Sequence, residues 1–185
     1  MKKLILKLTG GKFNRRSIVS YSSKTKPSSQ LVREAVFNSL GPLKGVALDL
    51  FAGSGAYGFE ALSRGASFVY FNDSDYNSIR SLKENAASLV VSDKIIITQL
   101  DYQKALDYYF SKAIFFDYCF IDPPYEFSDS IIEEILVQLL ANQKKGLKIV
   151  LERKRLTNSF DLPGLKLLKT GKYGTKSIFI YQIVA

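Results

Sequence analysis

Residues 122–125, Asp-Pro-Pro-Tyr, follow directly on the apolar run 116–121. Two successive prolines stiffen the backbone and hold the preceding residue in extended geometry, so the Asp122 carboxylate and the Pro123 carbonyl form a pair of aligned acceptors. Such a pair suits the two N–H bonds of a planar exocyclic amine, and Tyr125 can stack on the base that carries the amine. We therefore predict that Asp122, Pro123 and Tyr125 are catalytic residues. The alternative is a stiff turn with Tyr125 as lid packing.

A second motif, residues 49–55 (Asp-Leu-Phe-Ala-Gly-Ser-Gly), ends another apolar run and precedes a helical pattern. In an open α/β sheet the loop after the first strand lies closest to the ligand, so Phe51, Ala52, Gly53 and Gly55 are predicted to line a binding site. The glycines permit a tight turn, and the amide groups of the following helix favour an anionic group. The loop also fits the G-x-G-x-x-G pattern of dinucleotide-binding folds.

Three acids at predicted strand ends help to separate the possible ligands. Asp73, near the end of the run that follows Gly53, is suited to accept hydrogen bonds from ribose hydroxyls in NAD and S-adenosylmethionine alike. Asp49 favours S-adenosylmethionine, because a carboxylate there would attract a sulfonium and an ammonium but repel a pyrophosphate. Its alternative role is that of a helix-capping or loop acid. Asp101 could accept a hydrogen bond from the adenine amino group, and a plain strand-end acid is an equally good interpretation.

Short apolar runs alternate with helical patterns from Gly45 onward, which is typical of a parallel α/β sheet. Two final apolar runs have no helix between them and predict an antiparallel hairpin that closes the sheet. The predicted fold class is therefore α/β, with a mostly parallel seven-stranded sheet. The strands are predicted at 46–51, 67–72, 95–100, 116–121, 147–151, 165–169 and 177–184, and the helices at 56–64, 76–91, 102–111 and 129–142.

The N-terminal segment is predicted to add a small basic β-hairpin, with strands at 4–8 and 17–21, and a helix over 30–40 capped by Ser28 or Ser29. Residues 1–44 carry ten basic side chains and one acid, and so hold the whole net charge of +9. This clustering favours the phosphates of a nucleic acid over a merely solvated face or an anionic membrane. We predict residues 1–44 as an RNA-contacting extension of a domain at 45–185, with contacts from Lys12, Arg15, Arg16, Lys26 and Arg33.

Composition excludes several classes of protein. The chain has no histidine and one cysteine, Cys119, which lies in an apolar run, so we expect a buried thiol and no metal site. No apolar run reaches the length of a membrane span, and the basic start leads into only three apolar residues before Lys7. We therefore expect no membrane partner, no signal peptide and a cytoplasmic protein.

Six blocks of the sequence can be compared with known families. They are 10–12 with Arg15-Arg16, 32–38, 49–55 with Gly58, 60–66, 122–125, and Tyr173-Gly174. On these blocks the chain resembles, over essentially its full length, the bacterial 16S rRNA guanine-N2 methyltransferases of the RsmD type. It departs from that pattern at 26–30, where Lys-Pro-Ser-Ser-Gln replaces the usual Arg-Pro-Thr and an acid, and at Asn72-Asp73, which replaces Val-Glu.

The resemblance implies a class I methyltransferase fold, which is Rossmann-like, over the domain at 45–185. It also implies S-adenosylmethionine as cofactor and a guanine amine of 16S rRNA, in an assembling small ribosomal subunit, as acceptor. By their motif positions, Gly53, Gly55 and Asp73 resemble donor-binding residues, and Asp122 with Tyr125 the acceptor site. We expect a monomer. Two alternatives stay open: an N6-adenine methyltransferase on RNA or DNA, since the tetrapeptide serves any planar amine, and a non-catalytic RNA-binding assembly factor.

Overall fold

The computed structural model describes residues 3–21 and 29–185 of the chain. Nine strands and five α-helices form in these residues. The strands are β1 (Leu4–Lys7), β2 (Ser17–Ser20), β3 (Val46–Asp49), β4 (Phe68–Asn72), β5 (Ile95–Thr98), β6 (Tyr118–Ile121), β7 (Lys148–Arg153), β8 (Leu165–Tyr173) and β9 (Lys176–Ile183). The helices are α1 (Gln30–Leu40), α2 (Ala56–Ser63), α3 (Tyr76–Leu89), α4 (Tyr102–Ser111) and α5 (Asp129–Asn142).

The central sheet has seven strands in the order β5-β4-β3-β6-β7-β9-β8. β3 pairs in parallel with β4 and β6, and the parallel pairing continues outward to β5 and β7. β9 pairs antiparallel with both β7 and β8. The order reverses at β3, so the chain leaves β3 and β6 toward opposite edges and a crevice opens between their carboxyl ends. The predicted fold class, a mostly parallel sheet closed by an antiparallel hairpin, is confirmed.

Side-chain caps begin four of the α-helices in the described residues. Ser29 accepts a hydrogen bond from the Val32 amide, as the sequence predicted, while its alternative Ser28 lies outside the described residues. Asp75, Asp101 and Ser128 cap α3, α4 and α5 in the same way. Helix α2 begins instead after Gly55, which has left-handed backbone geometry. None of the helices in residues 3–21 and 29–185 is long and apolar enough to cross a membrane.

Two apolar cores cover the two faces of the sheet. Helices α1, α2 and α3 pack on one face, where Phe71 and Phe120 are fully buried. Helices α4 and α5 pack on the other face, around Leu48 and Cys119. Burial raises the pKa of the Cys119 thiol, so this side chain behaves as an apolar core residue.

The N-terminal hairpin packs on the outer side of α2 and α3. Strands β1 and β2 pair antiparallel, with Leu4 opposite Ser20, and Phe13 and Ile18 enter the same core as α2 and α3. The buried Glu60 carboxylate accepts hydrogen bonds from the Thr9 amide, at 2.9 Å to its nearer oxygen, and from the Thr9 hydroxyl (2.7 Å). The basic extension is therefore held by both apolar and polar contacts.

Asn85 links this hairpin to the loop that follows β3. Its Oδ1 accepts the Val19 amide (2.7 Å), and its Nδ2 donates to the Val19 carbonyl and to the Ser54 carbonyl, both at 2.9 Å. Asn85 is 1% exposed, so these hydrogen bonds are shielded from water. Strand β2 then ends at Ser20, which lines the crevice. The hairpin thus reaches the rim of the site.

Candidate active site

The crevice at the carboxyl ends of the parallel strands has a volume of about 600 Å³. This is within the usual range for a small-molecule site. Of the ten predicted catalytic and cofactor-binding residues, Gly55 and Pro123 do not line the crevice. The other eight do, although they come from four different strand ends. These lining residues are Asp49, Phe51, Ala52, Gly53, Asp73, Asp101, Asp122 and Tyr125.

The glycine loop, residues 51–55, forms the turn from β3 into α2. Gly53 has a φ of 55° and Gly55 a φ of 82°, a backbone region that other residues adopt only with strain. A Cβ at Gly55 would also lie 2.6 Å from the Phe59 ring, whereas a Cβ at Gly53 would meet open space. Gly55 is therefore needed for packing as well as conformation, and Gly53 keeps the backbone open toward the crevice.

Asp49 ends β3 at the floor of the crevice and is 2% exposed. Its Oδ2 accepts the amide of Gly58 in α2 at 2.9 Å. Burial raises the pKa of the Asp49 carboxyl to about 7, against the lowering effect of that hydrogen bond, and the charges of Asp122 and Asp73 add to the rise. A cationic ligand next to a buried carboxyl group favours its ionised form. A cation is also the partner that the sequence predicted for Asp49.

Asp73 fastens the glycine loop from the end of β4. Its Oδ2 accepts the Gly53 amide at 2.8 Å, and its Oδ1 accepts the Asp75 amide at 2.9 Å. Burial raises the pKa of the Asp73 carboxyl, while these two backbone hydrogen bonds lower it. Each carboxylate oxygen has a second lone pair for a ligand hydroxyl at the crevice wall.

Asn72, directly before Asp73, ties three strand ends together. Its Nδ2 donates to the Leu50 carbonyl (3.3 Å) and to the Leu100 carbonyl (3.0 Å), and its Oδ1 accepts the Thr98 hydroxyl (2.9 Å). The side chain is buried, so it acts as an internal cross-link between the ends of β3, β4 and β5. Its amide thus holds in place the strand ends from which Asp49, Asp73 and Asp101 extend.

Asp101 lies exposed at the opposite side of the crevice and caps α4, because its Oδ1 accepts the Lys104 amide at 3.0 Å. Three aromatic rings stand beside it. The centre of the Phe51 ring lies 5.6 Å from the centre of the Phe127 ring and 5.8 Å from that of Tyr102. The ring centres of Tyr102 and Phe127 are 5.3 Å apart. The rings form an apolar wall of the kind that receives a flat heterocycle, with a carboxylate at its edge.

The Asp-Pro-Pro-Tyr segment forms the remaining wall. The Asp122 side chain is 14% exposed, Pro123 is buried, and the Pro124 carbonyl accepts the Phe127 amide at 3.2 Å, which closes a turn. Tyr125 is 58% exposed. The turn therefore keeps Asp122 at the crevice and leaves the aromatic ring accessible to a stacking partner.

Lys154, just beyond the end of β7, contacts this segment. Its Nζ lies 3.8 Å from Asp122 Oδ1 and 4.8 Å from the centre of the Tyr125 ring. The Lys154 side chain is 2% exposed. A buried cation thus stands next to both predicted acceptor-site side chains.

The basic residues of the hairpin lie on the surface. Lys12, Arg15 and Arg16 are exposed in and after the turn between β1 and β2. The Arg16 guanidinium donates to the Ser88 carbonyl at 2.8 Å, which holds the end of this side chain against α3. These three side chains are accessible to phosphates. Lys26 lies outside the described residues.

Arg33 corrects one sequence-based prediction. It was expected on the RNA-binding surface, but its side chain is 1% exposed and donates to the Lys7 carbonyl at 2.6 Å. Burial lowers the pKa of its guanidinium, and the charge of Glu60 opposes this. The helical spacing places Arg33 on the inner face of α1 beside Val32 and Val36, so it joins α1 to β1 instead of facing solvent.

Sequence reasoning missed several residues of the crevice. Lys154 lies within three consecutive basic residues, where only its position after a predicted strand indicated the crevice. Tyr102 directly follows Asp101, and Phe127 follows the tetrapeptide by two positions, so proximity to the motifs was the available signal. Within the described part of the chain, no group of three or more His, Cys, Asp or Glu side chains could hold a metal ion.

The strand order and the crevice define the class: this is the class I fold of S-adenosylmethionine-dependent methyltransferases. The Haemophilus influenzae protein HI0767 superimposes with a TM-score of 0.78 and 28% identity, over 98% of this chain and 100% of that chain. Residues 6–182 match the family model described as Conserved hypothetical protein 95. The chain belongs to this family, which is the RsmD type, as the sequence predicted.

Two curated relatives support this membership. Ribosomal RNA small subunit methyltransferase D of Haemophilus influenzae is 32% identical over 176 residues, which are 91% of this chain and 88% of that protein. The protein YlbH of Bacillus subtilis is 36% identical over 121 residues. That second match spans 64% of this chain and 66% of YlbH, just under two thirds of its length.

Proposed function

We propose that this protein transfers a methyl group from S-adenosylmethionine to the exocyclic N2 amine of a guanine in 16S rRNA. One observation carries the proposal: the acids suited to the donor, Asp49 and Asp73, and the residues suited to a planar amine, Asp122 and Tyr125, line the same crevice. The Haemophilus influenzae relative is named as a small subunit rRNA methyltransferase, which supports this class of substrate.

On the donor side, S-adenosylmethionine supplies an activated methyl group on a cationic sulfonium. Asp49 supplies a buried negative charge to that cationic part, and the glycine loop gives it close access to the backbone. Asp73 accepts hydrogen bonds from the ribose hydroxyls. Asp101 and the rings of Phe51, Tyr102 and Phe127 hold the adenine.

On the acceptor side, the Asp122 carboxylate and the Pro123 carbonyl accept the two N–H bonds of the amine and so free its lone pair from the ring. That lone pair forms the new N–C bond as the sulfur–carbon bond breaks, the electron pair of the broken bond stays on sulfur, and one amine proton leaves to Asp122 or water. Tyr125 stacks on the base and fixes its plane. The rate gain comes mainly from position and charge, since these residues are in place before the substrates meet.

The RNA is held by the basic hairpin. Lys12, Arg15 and Arg16 contact phosphates, which position the substrate without reading its sequence. Strand β2 leads from these residues to Ser20 at the crevice rim, so the phosphate contacts lie on the element that borders the site. As the family resemblance implies, we place the reaction in an assembling small subunit.

Mass spectrometry of nucleosides tests the proposal. Small ribosomal subunits that lack the modification are incubated with the protein and isotope-labelled S-adenosylmethionine, then digested to nucleosides. We expect labelled N2-methylguanosine. Labelled N6-methyladenosine would instead establish the adenine alternative. Absence of label from ribosomal subunits, other RNA and DNA, together with RNA binding, would show the non-catalytic role.

A further inference from the structure

Three consecutive basic residues at the end of β7 have different surroundings. Arg153 donates to the Phe127 carbonyl (2.9 Å) and to the Asp129 carboxylate (3.0 Å), on the side of α5. Arg155 is half exposed and pairs with the same carboxylate at 2.7 Å. Lys154 turns toward the crevice and lines it. The proposed methyl transfer assigns no role to this side chain.

Burial of the Lys154 ammonium group limits what it can contact. A buried cation needs compensating charge or polarity, and Asp122 Oδ1 at 3.8 Å together with the face of Tyr125 at 4.8 Å supply it. These two partners are the acceptor-site side chains. One cation therefore contacts both the carboxylate that would receive the amine and the ring that would receive the base.

We propose that Lys154 is a positioning residue of the acceptor site. It sets the Asp122 carboxylate and the Tyr125 ring at a fixed separation, so that a base stacked on the open face of Tyr125 presents its exocyclic amine to Asp122. A cation on one face of an aromatic ring leaves the other face for stacking, which fits the 58% exposure of Tyr125. This role rests on the proposed function, because it requires a planar amine as acceptor.

Three variants separate this role from others. Lys154→Met keeps an unbranched side chain without charge, and Lys154→Arg keeps the charge and the contact with the ring. Arg155→Met is the matched control, since it removes the same charge one position away from a side chain that pairs with Asp129. Turnover on the RNA and the Michaelis constant for RNA are measured at saturating donor, with donor affinity from calorimetry.

We expect Lys154→Met to lower kcat between about 10-fold and 100-fold, because a small misplacement of reacting groups has an effect of that size. Donor affinity is unchanged, Lys154→Arg recovers most of the rate, and Arg155→Met stays close to the wild type. A rise in the Michaelis constant alone, with a shallower salt dependence, would mean that Lys154 contacts phosphate instead. Wild-type kcat in Lys154→Met would overturn the proposal.

A double-mutant cycle with Tyr125→Leu tests the path of the effect. If Lys154 acts through the ring, Lys154→Met should lower kcat by a smaller factor in the Tyr125→Leu background than in the wild type. A purely structural role predicts additive losses of rate that follow losses of melting temperature. Additive effects at unchanged melting temperature would also contradict the proposal.

Binding without turnover separates this inference from the proposed function. The fluorescence of 2-aminopurine, a base with an exocyclic N2 amine, is quenched when the base is stacked and rises when it is unstacked. Titration with RNA that carries this base therefore reports its transfer from neighbouring bases to Tyr125. If the wild type binds this RNA but methylates no guanine, the proposed function alone fails. The fluorescence change must then still be smaller in Lys154→Met than in the wild type and in Arg155→Met. An equal change in all three proteins would refute the role of Lys154.

Discussion

Four aspartates at strand ends share the crevice, and their surroundings give them different properties. Asp49 is fully buried with one amide partner, whereas Asp73 has two amide partners and reaches the wall. Asp101 is exposed and caps a helix, and Asp122 stands beside the Lys154 ammonium group. The same side chain therefore caps a helix at Asp101, while the roles proposed for Asp49, Asp73 and Asp122 differ because their burial and hydrogen-bond partners differ.

Replacement of Asp122 separates binding from transfer. We expect Asp122→Ala to lower turnover at least 100-fold, a typical loss for one group that stabilises developing charge. Donor affinity, measured by titration calorimetry, should stay nearly intact because the side chain acts on the acceptor. Asp93→Ala, which removes an exposed carboxylate in the turn before β5, is the control. Undiminished turnover in Asp122→Ala would contradict the acceptor assignment.

The raised pKa of Asp49 predicts a pH-dependent donor affinity. A cationic donor binds best when this carboxyl is ionised, so affinity rises with pH up to its pKa of about 7 and levels off above it. Below that value the loss approaches about tenfold per pH unit. Calorimetry with S-adenosylmethionine between pH 6 and 8 measures the slope. In Asp49→Asn we expect a lower donor affinity. The pH dependence that comes from Asp49 should be absent, and any pH dependence that remains comes from titrating groups of the donor itself.

The same shift makes stability of the free protein depend on pH. The folded pKa of Asp49 lies above its ordinary value of 3.8, so the folded state binds this proton more tightly than the unfolded state does. The stabilisation of the folded state by this bound proton is fully present below pH 3.8 and is lost as the pH rises through the folded pKa of about 7. Urea unfolding at pH 5 and pH 8 should therefore show a smaller loss of stability in Asp49→Asn than in the wild type.

At the scale of elements, the sequence predicted the central strands and helices closely because apolar runs and caps coincide there. Helix α2 was predicted at 56–64 and forms at Ala56–Ser63. Strand β8 was predicted to end at 169 but continues to Tyr173. It is an edge strand with exposed lysines, and a bulge between Leu167 and Lys169 interrupts the alternation of apolar and polar side chains. Pairing with β9 therefore extends the strand through residues whose hydrophobic pattern does not predict one.

The residues of the candidate site could be predicted only where motifs fix the backbone. The glycine loop and the Asp-Pro-Pro-Tyr segment are short stretches with strong local geometry, and their residues meet at the crevice. Lys154 and Phe127 depend on how β7 and α5 pack beside the tetrapeptide, which no local pattern encodes. Arg33 was misplaced for a related reason: charge suggested the surface, whereas packing of α1 decided its orientation.

Attachment of the hairpin to α2 depends on Glu60. This side chain is fully buried and accepts hydrogen bonds from Thr9 and, at 2.9 Å, from Arg64. We expect Glu60→Ala to lower the free energy of unfolding by about 3 kcal/mol, because it leaves the part-buried donors of Thr9 without their acceptor and the largely buried Arg64 without its carboxylate. Urea unfolding followed by circular dichroism measures the change.

The control for Glu60 is an exposed glutamate on another helix. Glu133→Ala on α5 should change the free energy of unfolding by less than about 0.5 kcal/mol. Similar small losses in both variants would show that the hairpin is held by its apolar contacts alone.

At the scale of the molecule, basic charge on the hairpin should make RNA binding depend on salt. Reversal of Lys12, Arg15 and Arg16 to Glu removes up to three phosphate contacts, so the slope of log affinity against log salt should flatten by roughly two to three. Fluorescence anisotropy with labelled RNA between low and physiological salt measures the slope.

A matched reversal tests whether location matters. Lys112, Lys144 and Lys145 are exposed before β6 and β7, at the end of the sheet opposite the crevice. Their reversal to Glu changes net charge equally and should leave the slope close to that of the wild type. Equal flattening in both triple variants would mean that total charge, not the hairpin, governs binding.

Asn85 connects the glycine loop to strand β2. One buried amide group holds the β2 backbone at Val19 on one side and the glycine loop at Ser54 on the other. A ligand that shifts the loop therefore acts on the element that carries the basic surface. Linkage is reciprocal, so the factor by which bound donor changes the affinity for RNA equals the factor by which bound RNA changes the affinity for donor. Under the proposed function, Asn85 therefore connects the two binding equilibria, and its replacement would change the coupling by the same factor for both ligands.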